Sequence, residues 1–116
     1  MNKNNITIAK AYYTAMSKKD IAQLAQYLDA DVQFKSPFAK SIGKEAFLQA
    51  AQKLIATFST LTIRAVCSSD DQAMVAYDFE FPAPIGHVPT AAILDIKDGL
   101  ITNIELFFDG RSFNMK

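Results

Sequence analysis

The sequence predicts an α+β domain in which three N-terminal helices pack on one face of a strongly curved, mainly antiparallel sheet. Most apolar residues before Ser59 recur at helical spacing, whereas those after it alternate at strand spacing. Strands that wrap three short helices must bend, and a bent sheet leaves a hollow against its helices. With 116 residues, half of them hydrophobic, the chain is expected to form one domain, residues 1–116. We therefore expect an apolar cavity between the helices and the sheet.

Three helices are expected, each from its first residues and its apolar stripe. The first follows Asn4 and Asn5, which can cap the start of a helix. The second follows Asp20, which together with a glutamine three residues later resembles a capping box, and it is expected to carry Leu28. The third opens at Gly43 and is expected to be the longest of the three.

Five strands are expected, one before the third helix and four after it. The first is short, residues 32–35, and ends before Pro37. In the second, Cys67 belongs to the alternating apolar set and is expected to be buried. The last strand is apolar at both parities, so both of its faces are expected to be covered. The four later strands are expected over residues 61–67, 73–81, 88–97 and 100–109.

Composition and charge exclude several classes of partner. Twelve basic and twelve acidic residues give no net charge, so neither nucleic acid nor an anionic membrane is an expected partner. No run of about eighteen apolar residues occurs, and residues 1–10 lack the apolar core of a signal peptide. One cysteine and one histidine cannot form a metal site, and no glycine-rich phosphate loop is present. We therefore expect a cytoplasmic protein without a metal or cofactor.

Aromatic residues supply the expected wall of the hollow. They are Tyr12, Phe34, Phe38, Phe58, Tyr77 and Phe79, joined by Leu106 and Phe108 on one face of the last strand. Any one of these rings can simply fill a core, but so many rings in a small domain favour a space that they line. A pocket of this kind takes a small apolar or aromatic molecule.

Short segments along nearly the whole chain carry a family resemblance. They are Tyr12-Tyr13-Thr14-Ala15-Met16 with Asp20, Leu28-Asp29-Ala30-Asp31-Val32-Gln33-Phe34 followed by Ser36-Pro37, Gly43-Lys44-Glu45-Ala46, and Lys97-Asp98-Gly99-Leu100-Ile101 through Phe107-Phe108-Asp109. In these segments the chain resembles the nuclear transport factor 2-like superfamily and its SnoaL-like family, distant relatives of ketosteroid isomerases and polyketide cyclases. The resemblance implies a cone-shaped, cystatin-like roll that encloses an apolar cavity. It implies little about chemistry, because this superfamily uses one fold for many functions.

Two of the three catalytic groups of the isomerases are absent from the positions that resemble theirs. Tyr12 stands where those enzymes have an oxyanion-hole tyrosine, and a buried phenol can polarise a carbonyl oxygen. Ser36 precedes Pro37 where the isomerases have an aspartate base, and a serine hydroxyl takes no proton near neutral pH without a base beside it. Ala91 or Ala92 stands where the second oxyanion acid is expected. Steroid-type isomerase activity is therefore not expected, and Ser36 is a candidate ligand contact instead.

Asp109 and His87 are the remaining catalytic candidates beside Tyr12. Asp109 resembles the carboxylate that SnoaL-like cyclases use near the end of the last strand, and an aspartate facing an apolar hollow has a raised pKa. Strand alternation instead places Asp109 on the other face of the sheet from Phe108, the face that carries Glu105 and Phe107. Arg111, two residues later, can form an ion pair with it at the rim. His87 lies on a loop, and two interpretations are open. It acts as an acid or a base at the mouth of the cavity, or it is exposed and has no role in the site.

The outward face of the sheet is expected to bind a second copy of the chain. Its apolar residues are flanked by charges, which is typical of a two-fold symmetric interface. The set comprises Met74, Ala76, Ala91, Ile93 and Phe107 with Asp78, Glu80, Asp95 and Glu105. Sheet-to-sheet homodimers are also what the resemblance implies.

Three functions from different classes remain open. The first is a protein that binds a small apolar or aromatic molecule in its cone, with Tyr12 as a polar anchor. The second is an enzyme of isomerase or cyclase type that uses Asp109 with Tyr12 or His87 for proton transfer on a carbonyl compound. The third is a dimerisation module whose cone is filled by its own side chains.

Overall fold

A computed structural model of the protein describes residues 3–114 and confirms the α+β architecture. Three helices pack on a six-stranded sheet that is curved but not closed. Within the described range the helices are α1 (Lys3–Ser17), α2 (Ile21–Ala25) and α3 (Lys44–Ile55). The strands are β1 (Leu28–Lys35), β2 (Lys40–Ile42), β3 (Thr60–Ser69), β4 (Gln72–Glu80), β5 (His87–Lys97) and β6 (Leu100–Phe108), followed by a 3₁₀ helix, η1 (Gly110–Asn114). None of the helices in this range is long and apolar enough to cross a membrane.

The sheet has the strand order β2-β1-β6-β5-β4-β3, so β6 lies inside it rather than at an edge. Neighbouring strands are antiparallel except β1 and β6, which run parallel. On β6, Ile104 is buried at the inner face, whereas Phe107 on the outer face is 46 % exposed. The inner face of this strand is therefore covered by the chain itself, and cover of its outer face by a second copy stays a prediction.

The segment between α2 and α3 differs most from the sequence prediction. Helix α2 ends at Ala25, and Leu28, which was expected on that helix, begins β1. Leu28 is buried and pairs with Ile101 of β6, whose N–H donates to the Tyr27 carbonyl at 2.8 Å. The partner strand lies at the other end of the chain, so local periodicity gives no signal for this pairing. For the same reason β1 is longer than expected, and β2, which pairs only with β1, was not expected at all.

A β-bulge in β3 reverses which side chains face the helices. The register with β4 shifts between Ile63 and Ala65. Leu61, before the shift, is buried, whereas after it Val66 is half-buried and Cys67 is exposed. One extra residue moves the two-residue period by one position, so every later side chain changes face. The prediction of a buried Cys67 is therefore wrong.

The core lies between the inner face of the sheet and helices α1 and α3. The side chains of β4 alternate as predicted, with Tyr77 and Phe79 buried and Met74 turned outward. Tyr12 on α1 and Phe47 on α3 are buried on the helical side. With 15 residues against 12, α1 rather than α3 is the longest helix. This arrangement sets aromatic side chains from both layers against each other.

Candidate functional site

A cavity of about 340 Å³ opens between α1, α3 and the inner face of the sheet. Its volume lies near the lower end of the range of small-molecule sites, roughly 300–1,000 Å³. The helices contribute Tyr12, Tyr13, Met16, Phe47, Ala50, Ala51 and Leu54, and the sheet and its flanks contribute Phe34, Tyr77, Phe79, Phe81, Val88, Thr90, Ile104, Leu106 and Phe108. Ser36, Phe38, Ala39 and Phe113 complete the lining, and because Phe38 and Ala39 are exposed we take this side as the mouth.

Contacts between aromatic rings build the walls of the cavity. Phe34 of β1 packs against Phe47 of α3, with ring centroids 5.2 Å apart. Phe81 packs against Phe79 at 5.3 Å and against Phe113 at 5.2 Å. Rings at such separations attract one another beyond the area that they bury. The protein's own packing therefore holds the walls in position.

Three further ring contacts frame the mouth of the cavity. The centroid of Phe38 lies 5.5 Å from that of Phe108 and 5.6 Å from that of Phe113, and the last two are also 5.6 Å apart. Phe38 is 53 % exposed, so part of its ring meets solvent. Gly110 lies so close to it that a Cβ atom would meet the Phe38 ring at 2.7 Å. A side chain at the start of η1 would therefore displace the half-exposed Phe38 ring from this position.

Tyr12, Tyr13 and Tyr77 form the deep end of the cavity. The ring centroid of Tyr13 lies 4.7 Å from that of Tyr12 and 4.5 Å from that of Tyr77. The ring planes of Tyr13 and Tyr77 are inclined to each other by 36°. Burial, and secondly the neighbouring Tyr77, raises the pKa of Tyr12 well above its usual value. Tyr12 is therefore protonated at neutral pH and can donate its O–H.

Ser36 and Thr90 are the other hydroxyl-bearing residues of the lining. Ser36 closes a tight turn: its N–H donates to the Ala39 carbonyl at 2.8 Å, and its Oγ accepts the N–H groups of Phe38 and Ala39, both at 3.2 Å. The Thr90 Oγ1 donates to the Val88 carbonyl at 3.3 Å. The cavity therefore has a few fixed hydroxyls in an otherwise apolar wall.

The structure brings all but one of the expected lining residues to this cavity. Those on it are Tyr12, Phe34, Ser36, Phe38, Tyr77, Phe79, Leu106 and Phe108. Phe58 is the exception, because it lies just beyond α3 and is 1 % exposed, packed against Phe79 at 5.0 Å. Its ring is covered on another side by the Lys19 ammonium, 4.8 Å from the ring centroid. Phe58 is therefore part of the solid core, and its expected place on the wall is corrected.

Several lining residues were missed by sequence reasoning. Phe47 lies on the apolar face of α3, and Tyr13 is next to Tyr12 on α1. Both could have been identified from the apolar positions of these two helices, which recur at helical spacing. Thr90 belongs to the buried set of β5, which alternates with exposed residues, so strand alternation alone could have found it. Phe113 follows the last strand in η1, where no periodic pattern marks it, and only the fold brings it to the mouth.

Asp109 lies outside the cavity, in an ion pair with Arg111. The Arg111 Nε is 3.0 Å from both carboxylate oxygens, and a terminal nitrogen is 2.6 Å from Oδ2. The Arg111 N–H also donates to Oδ1 at 3.0 Å. These bonds lower the pKa of Asp109 to about 2, the side-chain bonds from Arg111 contributing most. The carboxylate is therefore ionised and engaged, as expected of the rim ion pair.

His87 begins β5 on the outer side of the sheet and does not approach Tyr12. Its Nδ1 contacts the Glu80 carboxylate, and its Nε2 lies 3.4 Å from Asp78 Oδ1. Arg64 approaches the same Asp78 oxygen at 3.6 Å. The hydrogen bond to Glu80 is the main cause that raises the pKa of His87. The three catalytic candidates are therefore not brought together, and no group of described residues is arranged to hold a metal ion.

A larger depression, about 690 Å³, lies at the other end of the fold, between the start of α1 and the turns that follow β3 and β5. Its polar residues bond to one another: Asn5 Nδ2 donates to the Asp70 carbonyl and Thr102 Oγ1 to the Asp95 carbonyl, both at 3.2 Å. It lies away from the aromatic walls. The smaller cavity, enclosed by apolar side chains, therefore resembles small-molecule sites more closely despite its smaller volume.

The fold and the cavity place this chain among the nuclear transport factor 2-like proteins. The family model of the SnoaL-like domain matches residues 9–104, and the chain belongs to that family. The resemblance seen in the sequence is therefore confirmed. A search among curated proteins finds no match.

Solved structures with the same fold have diverged far from this sequence. A protein from Kribbella flavida DSM 17836 superposes with a TM-score of 0.91 at 22 % identity, over 97 % of this chain and 93 % of that chain. A proposed ketosteroid isomerase from the same organism gives 0.82 at 17 % identity, over 92 % and 78 %. A proposed polyketide cyclase from Sinorhizobium meliloti gives 0.80 at 22 % identity, over 87 % and 94 %. At such identities the similarity shows the fold and not the activity.

Proposed function

We propose that the protein binds a small, neutral, apolar or aromatic molecule in its cavity, without catalysing a reaction. The observation that carries the proposal is the lining of the 340 Å³ cavity, on which no Asp, Glu, Lys, Arg or His of residues 3–114 lies. An unpaired charge buried in such surroundings costs several kcal/mol or more. A neutral ligand with apolar surface avoids that cost and gains from leaving water.

The enzymatic alternative has less support, because its acids and bases lie elsewhere. Asp109 is engaged by Arg111, and His87 is engaged by Glu80 on the outer side of the sheet. Among residues 3–114, the side-chain contacts of Ser36 are the two backbone N–H groups that its Oγ accepts, and neither can take its proton. Tyr12 remains as a hydrogen-bond donor to a bound oxygen, which suits binding as well as catalysis.

The proposal includes a homodimer formed through the outer face of the sheet. Phe107 and Met74 are 46 % and 38 % exposed there, and large apolar side chains exposed on one face favour an interface. Phe107 of β6 pairs with Ala91 of β5, so the middle of this face is apolar, while Asp78 and Glu80 lie toward one end. A two-fold axis through that centre puts each Phe107 against the partner's sheet.

Binding is tested by NMR titration of the ¹⁵N-labelled protein with 2-acetylnaphthalene, a neutral aromatic ketone. We expect saturable shifts of amides around the cavity, such as those of Phe34, Val88 and Leu106, and none around Asp70 at the opposite end. The matched control is 2-naphthoate, which has nearly the same shape and carries a charge. We expect it to bind at least about ten-fold more weakly, a difference of about 1.4 kcal/mol.

Two outcomes contradict the binding proposal. If 2-acetylnaphthalene causes no saturable shifts, or shifts only surface residues remote from the cavity, the cone is no ligand site for this class of molecule. If 2-naphthoate binds as tightly as the ketone, the ligand need not be neutral. In the first of these cases, where the cone binds no probe, the dimerisation module is the better description of the protein.

A further inference from the structure

Ser36 is a hydroxyl-bearing residue of the cavity lining that is only half-buried, and its bonds restrict what it can offer a ligand. Its Oγ accepts two backbone N–H groups, from Phe38 and Ala39, each at 3.2 Å. A serine hydroxyl has one proton to donate and two lone pairs with which to accept. Both lone pairs of the Ser36 Oγ accept N–H groups of the turn, so the hydroxyl can interact with a further group only by donating its proton.

None of the described residues that line the cavity with Ser36 offers that proton a charged acceptor. The side chains that border the mouth with it are Phe38, Ala39 and Phe113, and Phe34 and Phe108 continue the wall inward. Lys35, its neighbour along the chain, pairs outward with Glu105 at 3.8 Å. In the described part of the chain, the Ser36 hydroxyl accepts hydrogen bonds and donates none.

The turn also fixes where the hydroxyl stands. The Ser36 N–H donates to the Ala39 carbonyl at 2.8 Å, so both ends of the turn are tied together. Phe34, two residues earlier on β1, is held against Phe47 of α3. A donor held on this frame need not be ordered when a ligand arrives, which lowers the cost of binding.

We propose that Ser36 is a specificity-determining residue that donates its hydroxyl proton to a neutral acceptor oxygen of the ligand, a carbonyl or ether, at the mouth of the cavity. This inference rests on the proposed function, because it names the chemical class of the ligand of the same site. It assigns to Ser36 recognition of the ligand rather than removal of a proton from it. Molecules of equal shape that lack the oxygen are bound less well.

The test compares two neutral probes of nearly equal shape, 2-acetylnaphthalene and 2-isopropenylnaphthalene, in which a CH₂ group replaces the carbonyl oxygen. Their dissociation constants are measured for the wild type and for Ser36→Ala, Ser36→Asn and Ser36→Asp at pH 8. Asparagine and aspartate can both accept the two N–H groups of the turn, but only asparagine keeps a donor. The readout is the ratio of the two dissociation constants in each protein, so a general loss of fold or shape cancels.

We expect Ser36→Ala and Ser36→Asp to lower the preference for the ketone by about 2- to 12-fold, the factor that a net hydrogen bond supplies. Ser36→Asn is expected to keep it. An unchanged preference in Ser36→Ala and Ser36→Asp, or an equal loss in Ser36→Asn, overturns the donor role. If the wild type binds both probes equally well, the inference fails while the proposed function stands. If it binds neither, the proposed function itself fails, and this inference with it.

Discussion

Two phenylalanine-to-alanine substitutions separate the solid core from the cavity wall. Phe58 is 1 % exposed, packs on Phe79 at 5.0 Å and lies beneath the Lys19 ammonium. Truncating a ring that is enclosed on all sides costs about 3–5 kcal/mol, because it loses burial and leaves a void. Phe108 is half-buried and borders a space that already exists. Its truncation is expected to cost only about 1–2 kcal/mol, since less apolar area returns to water.

The assay is urea unfolding combined with titration of 2-acetylnaphthalene. With a denaturant slope of about 1.5 kcal/mol per molar urea, Phe58→Ala lowers the unfolding midpoint by about 2–3 M and Phe108→Ala by about 1 M. Phe108→Ala is expected to weaken probe binding by about 2- to 12-fold, because an aromatic contact with the probe is lost. Phe58→Ala is expected to leave the dissociation constant unchanged. Phe58→Leu serves if the alanine variant does not fold.

Equal costs of unfolding for the two alanine variants refute this reasoning. Phe108 is then enclosed as completely as Phe58, and the cone is filled by its own side chains. A loss of binding in Phe58→Ala as large as that in Phe108→Ala also contradicts the account, because no contact of Phe58 with the ligand is expected. The two measurements thus test the stability and the binding role of the same pair of rings.

Three further predictions concern residues outside the cavity. The one histidine, His87, is expected to titrate by NMR above its ordinary pKa of 6.5, and Glu80→Gln is expected to lower that pKa more than Asp78→Asn does. Because the folded state raises this pKa, the pairing stabilises the fold fully below about pH 6.5, and the contribution is lost as the pH rises through the folded-state value. The pKa shift of Asp109 has the opposite sign, because folding lowers its pKa from 3.8 to about 2. The contribution of Asp109 to stability is therefore present above pH 3.8 and is lost as the pH falls toward 2. Asp109→Asn is therefore expected to reduce the acid-induced loss of stability in that range and to leave probe binding unchanged, and weakened binding contradicts its place outside the cavity. In light scattering at micromolar concentration we expect the wild type to have the mass of the proposed dimer and Phe107→Asp that of a monomer, whereas a monomeric wild type contradicts the proposed interface.

The order of elements is predictable from the sequence because most of it depends on local periodicity. The change from helical to strand spacing at Ser59 marks the start of the meander, and the inward set of β4 follows from strict alternation. The cavity wall follows from the same rule, since the inward positions of β6 include Leu106 and Phe108. These features require only knowledge of which side chains share a face.

The remaining features depend on contacts between distant segments. The parallel pairing of β1 with β6 extends β1 back to Leu28, although that stretch has no strand pattern of its own. The bulge between Ile63 and Ala65 arises in the register with β4 and turns Cys67 outward, which alternation alone cannot reveal. Phe113 lies in η1, after the end of β6, and lines the cavity without any periodic signal in the sequence. Such positions are fixed by tertiary packing rather than by local preference.

The most direct test of the central claim is a crystal structure of the protein with 2-acetylnaphthalene. We predict density for the naphthalene rings among Phe34, Leu106 and Phe108, with the ketone oxygen within hydrogen-bonding distance of Ser36 Oγ. An interior packed solid by the protein's own side chains, or a probe bound only on the outer face of the sheet, contradicts the claim that the cone is a ligand site.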